Sequence, residues 1–248
     1  MRAVALYSIK GGVGKTAASI NLAYESAKSG WRTLVWDLDP QGAASFYFRV
    51  RPELKGGVKT LLKKHPISGV KATDFANLDL LPADFTYRHL DLRLNDRDKP
   101  RRFLSGRLAL LREHYDLIVF DCAPSISLVS ENVFRAVDII LQPMIPTTLS
   151  LRTSEQLQTF VGGLSKHAPE VLSFLSMIDR RRKLHKQIAD QLSDAGSILS
   201  SMIPASSVVE RMGSEQRPVG DFAASSTAAV AYASLWLELE QRLPLENS

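Results

Sequence analysis

The chain has 248 residues, 45% of them apolar, with 31 Lys plus Arg against 26 Asp plus Glu and a formal charge of +5. That length fits one large α/β domain or two small ones, and the composition excludes a disordered, collagen-like or coiled-coil chain. Its one cysteine, Cys122, excludes an intrachain disulfide and a multi-cysteine metal site, and no apolar run approaches the ~20 residues needed to span a bilayer.

Short apolar runs alternate with amphipathic stretches. Residues 4–9 read as a strand ended by glycines. The start of the chain is too short in apolar residues for a signal peptide and runs into a Gly-Lys loop. Residues 16–29 read as a helix, with Ile20, Leu22, Ala23 and Ala27 apolar and Gly30 as its stop. Further strands are expected over 33–36, 78–81, 116–120, 137–143, 172–177 and 198–203. Helices are expected over 104–114 and 227–243. Unbroken apolar strands between helices predict a mostly parallel, twisted sheet flanked by helices on both faces. No linker, repeat or low-complexity block interrupts the pattern, so residues 1–248 form one α/β domain.

The sharpest signal is Lys10-Gly11-Gly12-Val13-Gly14-Lys15-Thr16, between the first strand and the first helix. A strand–loop–helix of this kind aims backbone N–H groups at phosphates, and the helix dipole adds to the attraction. Lys15 would reach the β- and γ-phosphates, and the Thr16 hydroxyl would hold Mg²⁺. The ordinary phosphate-loop pattern asks for glycine where Ile9 stands, and this loop has an extra lysine, Lys10. Downstream, Trp36-Asp37-Leu38-Asp39-Pro40-Gln41-Gly42 puts two carboxylates at the edge of the sheet where ligands bind. Tyr115 to Pro124 is an apolar strand that ends in Asp121, placed to bind Mg²⁺ through water. Cys122 reads as a packing residue, with no His partner to make it a nucleophile.

The loop resembles the deviant Walker A motif, KGGxGK followed by Ser or Thr, of the ParA/MinD superfamily. The resemblance implies a single-domain P-loop NTPase that binds ATP and Mg²⁺. It implies that Gly11, Gly12, Val13, Gly14, Lys15, Thr16 and Ala17 line the nucleotide. It makes Lys10 the signature lysine, which crosses a dimer interface to the partner's phosphates. The segment 37–42 resembles that family's switch I, DxDPQG, which assigns Asp39 to the hydrolytic water and Asp37 to the metal shell. The segment 115–124 resembles YDxIxIDxPP, which assigns Asp121 to Mg²⁺. Ala17 and Ala123 depart from the commoner Thr and Pro. Asp179 and Pro204 fall where the family contacts the base, and both equally fit ordinary loop positions.

Within the superfamily, one cysteine cannot supply an iron–sulfur scaffold. The C-terminal tail carries more Glu than Arg, which an anionic bilayer repels, so direct membrane insertion is not expected. What remains resembles a short, Soj-like ParA ATPase. That resemblance implies an ATP-dependent homodimer, cytoplasmic and nucleoid-associated, which binds DNA non-specifically. A ParB-like partner would stimulate slow hydrolysis, and a plasmid, chromosome or protein cluster would be the cargo. Arg180, Arg181, Arg182, Lys183 and Lys186 offer phosphate contacts, and Arg211 and Arg217 lie in a later loop whose family counterpart touches DNA. A solvated charged face is the alternative. The rival functions are a MinD-like membrane-associated positioning ATPase and an ATP-dependent amide ligase.

Overall fold

The computed structural model describes residues 1–63, 65–164, 168–179, 181–192 and 196–243. Its strands are β1 Arg2–Leu6, β2 Thr33–Asp37, β3 Lys71–Ala72, β4 Leu78–Leu81, β5 Leu117–Asp121, β6 Ile139–Met144, β7 Glu170–Ile178 and β8 Ile198–Pro204. They form one sheet in the order β3-β4-β2-β5-β1-β6-β7-β8. The pairings from β4 to β8 are parallel, and the β3–β4 pairing is antiparallel. The helices are α1 Lys15–Lys28, α2 Ala43–Tyr47, α3 Gly57–Lys63, α4 Leu90–Asn95, α5 Phe103–Ala109 and α6 Leu128–Phe134. They continue with α7 Thr148–Gly162, α8 Lys183–Leu192, α9 Ser207–Glu210, α10 Met212–Glu215, α11 Val219–Phe222 and α12 Thr227–Arg242.

Helices cover both faces of the sheet, as the unbroken apolar strands require. In β5, Leu117 and Val119 join the core beneath α1 and α12, together with Ile20, Leu22 and Trp236. Ile118 and Phe120 join the opposite core, with Leu94 of α4, Leu104 of α5, Phe134 of α6 and Leu157 of α7. Trp36 stacks on Phe120 in that second layer at a ring distance of 5.3 Å. Deleting a buried ring of this kind costs about 3–5 kcal/mol.

The elements differ from the sequence reading where side-chain pattern is a poor guide. β1 ends at Leu6, and Tyr7 to Ile9 lead out of it into the glycine loop. α5 ends at Ala109, and turns carry the chain on to β5. α6, α7 and α8 lie in stretches for which the apolar pattern predicts no helix. The buried face of α7 is Ser150, Ser154, Leu157 and Val161, so half of it is serine. Its start is set by a cap: the Thr147 hydroxyl accepts from the Ser150 N–H at 3.3 Å. α6 starts with a reciprocal box in which Ser130 Oγ accepts from the Ser127 N–H at 2.8 Å.

The sheet's two edges are built differently. β3 is two residues long and antiparallel. At the other end, Glu238 of α12 accepts the Ser200 N–H of β8 at 2.7 Å and its hydroxyl at 2.9 Å.

Candidate active site

The loop 10–16 joins the end of β1 to the first turn of α1. Gly14 caps α1 with φ +92°, a conformation that strains any L side chain. A Cβ there would also stand 3.0 Å from Ser176 Oγ. This close fit aims the amide end of a 14-residue helix into the loop. Val13 is buried and anchors the loop, while Gly11 and Gly12 are exposed.

Lys15 is only 7% exposed, and its ammonium folds back to donate to the Lys10 carbonyl at 3.2 Å. Burial lowers its pKa, and the negative charge of Asp121 opposes that shift more than any other group does. The Lys10 ammonium, half-exposed, makes no hydrogen bond or ion pair among the described residues.

The carboxylates come from adjacent strand ends. Asp37 of β2 sits opposite Asp121 of β5 in the parallel register. Both are fully buried. Burial pushes both carboxyls above the ordinary range, and for Asp37 the charge of Asp121 adds to it. Their hydrogen bonding separates their roles. Asp37 Oδ1 accepts from the Asp39 N–H at 3.2 Å, and Oδ2 accepts the N–H and hydroxyl of Ser45 at 2.9 and 2.8 Å. It thereby ties the loop after β2 to α2. Asp121 Oδ1 accepts from the Ser19 hydroxyl at 2.9 Å, but its Oδ2 is buried with no partner. The hydroxyls of Thr16 and Ser19 hold the Asp121 pKa down against burial.

Thr16 and the orphaned Asp121 oxygen fit a divalent cation that completes its shell from phosphate and water, the usual habit of Mg²⁺. No cluster of three or more His, Cys, Asp or Glu among the described residues could hold a metal alone. Asp39 stands half-exposed, with Oδ1 accepting from the Gln41 N–H at 2.9 Å. Its turn closes at Gly42, φ +66°, where a Cβ would lie 2.6 Å from Pro52 Cβ.

A family model described as AAA domain matches residues 1–174. Chromosome-partitioning ATPase Soj of Treponema pallidum is 29% identical over 244 residues, covering 94% of each chain. The chain belongs to the ParA/MinD superfamily. Its fold is shared by a plasmid partition protein of Borrelia burgdorferi bound to AMPPNP: TM-score 0.83, 22% identity, 97% of this chain and 98% of that one. It is also shared by cobyrinic acid a,c-diamide synthase of Mycobacterium smegmatis with ADP and magnesium: TM-score 0.80, 23% identity, 98% and 95% covered.

On this ParA/MinD frame the other predicted residues fall in two groups. Ala17 is half-buried on α1 and packs against its core. Pro204 lies beside Ile178 in the β7–β8 register, so the two positions expected to contact a base, Asp179 and Pro204, lie on neighbouring segments. Asp179 is already engaged: its carboxylate accepts from Arg181 Nε at 2.9 Å and lies 3.8 Å from Arg182. The Arg181 hydrogen bond holds its pKa at about 2. Arg180 lies outside the described residues, as does the chain end after Leu243. Lys183 and Lys186 are exposed on α8. Arg211 pairs with Glu215 at 2.8 Å, and Arg217 pairs with Glu215 at 3.1 Å and Asp221 at 3.2 Å. Four of the expected DNA contacts are thus held by acids.

Sequence reasoning missed Ser19 and Ser45, which orient the two buried carboxylates. The available signal was a serine one turn after Lys15 on the apolar face of α1. Cys122 is buried, and burial pushes its thiol pKa up, as suits a packing residue.

Proposed function

We propose that this protein is a Mg²⁺-dependent ATPase that dimerises on ATP, holds DNA without sequence preference and positions or segregates a cargo. The observation that carries this reading is the buried Lys15 beside a buried Asp121 with one unpartnered oxygen, both under the amide end of α1. Among the described residues Lys15 donates only to a loop carbonyl, which a phosphate oxygen would replace. Thr16 and Asp121 would hold Mg²⁺, which supplies neutralisation of developing charge. The backbone of 11–16 binds the phosphates, and Asp39 orients the attacking water. Lys10, its ammonium unpaired among the described residues, reaches the partner's nucleotide and ties turnover to dimerisation. A ParB-like partner stimulates hydrolysis, and the protein is nucleoid-associated in the cytoplasm. The named function of the Soj relative supports the partition reading. No helix among the described residues is long and apolar enough to cross a membrane.

The test pairs Lys15→Ala with Lys10→Ala in light scattering with Mg²⁺ and a slowly hydrolysed ATP analogue. Lys15→Ala should lose nucleotide binding. Lys10→Ala should keep it and lose the dimer; unchanged dimers sink the trans-lysine role. Retention by anionic liposomes instead of DNA would turn the reading to a membrane-positioning ATPase. ATP turnover that requires a small carboxylic acid and an amide donor would turn it to a ligase.

A further inference from the structure

Residues 88–112, part of the connection from β4 to β5, hold eight Lys and Arg against three Asp. α4 and α5 fold this stretch around an open groove of about 730 Å³. Its cations are Arg97, Lys99, Arg102 and Arg107, with Asp96 and Asp98 on the same rim. The guanidinium carbons of Arg97 and Arg107 lie 5.4 and 5.0 Å from the centre of the Phe103 ring. Two like charges therefore share one aromatic platform. Burial lowers the pKa of Arg107, and Arg97 lowers it further. The platform is fixed from behind, because the Phe103 N–H donates to Asn132 Oδ1 at 3.0 Å. The side chains of Arg97, Lys99 and Arg102 are exposed and make no ion pair among the described residues.

The contrast with the basic segments 180–186 and 211–217 is physical. At Arg181, Arg182, Arg211 and Arg217 a polyanion must first displace Asp179, Glu215 or Asp221. At the α4–α5 groove Arg97, Lys99 and Arg102 have no ion pair to break among the described residues, and an incoming anion relieves the repulsion between Arg97 and Arg107. The groove exposes no large apolar side chain, the anchor on which protein partners rely. Lys and Arg without such an anchor suit a phosphate backbone. We propose that this groove is a surface through which the protein holds the sugar–phosphate backbone of DNA. The proposal rests on the DNA-binding reading above and names where the contact is made.

The test uses the full chain with Mg²⁺ and ATP, a labelled DNA duplex, and anisotropy titrations over a range of KCl. The variant is Arg97→Gln/Lys99→Gln/Arg102→Gln; all three sites are exposed, so the fold is kept, and thermal melting checks that. Each lost phosphate contact lowers the slope of log K against log salt by about 0.9, so the slope should fall by about 2–3, with affinity at least about tenfold weaker at ~0.1 M salt. Arg97→Lys/Arg102→Lys keeps the charge and should keep the slope. A glutamine variant that binds the duplex like the parent overturns the groove and leaves the DNA reading standing. A parent protein that does not bind the duplex at low salt overturns both. Loss of labelled polyglutamate binding with duplex binding intact assigns the groove to an acidic protein and overturns the proposal.

Discussion

Asp121→Asn should stabilise the empty protein at about pH 8, although it removes a group from the candidate metal site. Asp121 is wholly buried, sits beside Asp37 on the neighbouring strand, and has one oxygen without a partner among the described residues. A buried charged atom left unsatisfied costs about 1–3 kcal/mol or more. Asparagine keeps the shape, still accepts from Ser19, and removes the like charge beside Asp37. A gain of about 2 kcal/mol corresponds to about 4–8 °C in Tm for a chain of this size. The pH dependence has a definite sign. Burial raises the folded carboxyl above its unfolded value, so the native state keeps a proton that the unfolded chain has released. The penalty is absent below both values and grows as pH rises through the raised one. The gain should therefore shrink as pH falls from about 8 toward 4. Urea titrations followed by tryptophan fluorescence, in EDTA without nucleotide, measure it. With Mg²⁺ and ATP the order should reverse, because the parent, which keeps its metal ligand, gains more stability from binding them than the variant does. A variant that unfolds at lower urea than the parent at pH 8 in EDTA refutes the reasoning.

Three other substitutions probe the same machinery. Ser45→Ala removes the hydroxyl's bond to Asp37, leaving the backbone one, and the acceptor of the buried Ala83 N–H, and should cost about 1–3 kcal/mol in urea unfolding. Retained stability would show that Asp37 does not depend on the Ser45 hydroxyl. Gly14→Ala forces a side chain into positive φ and against Ser176; about 1–2 kcal/mol of stability and most affinity for a fluorescent ATP analogue should go. An unchanged affinity removes the loop-geometry argument. Asp39→Asn should leave ATP affinity intact and slow turnover by about 10²-fold or more, read by phosphate release.

The parallel sheet was legible because strands buried on both faces must be apolar throughout, as Leu117 to Phe120 are. The phosphate loop was legible because its chemistry demands glycine, lysine and a hydroxyl at set spacing. α7 was not, because serines occupy half of its buried face and a Thr147 cap fixes its start. Asp37 and Asp121 look alike in sequence, each a carboxylate at a strand end. Only the hydrogen bonds separate a loop anchor from a free ligand oxygen, and Ser45 supplies those bonds from eight positions away. Basic runs were visible as charge, but the neutralising acids come from folding. The stretch 88–112 equals the whole chain's excess of +5, yet that Arg97, Lys99 and Arg102 lack ion pairs among the described residues depends on where α4 and α5 put them.

The treatment of the sheet's two ends constrains how copies can meet. An open edge strand is a template on which a neighbour's backbone can be laid down indefinitely. Here one end stops in a two-residue antiparallel stub, and at the other Glu238 occupies the outward N–H of Ser200. Each end thus offers a reduced template, one by its brevity and the other by a carboxylate seated on one backbone donor. The dimer proposed above would then be built from loops and side chains, and would form or part with what the loop 10–16 holds.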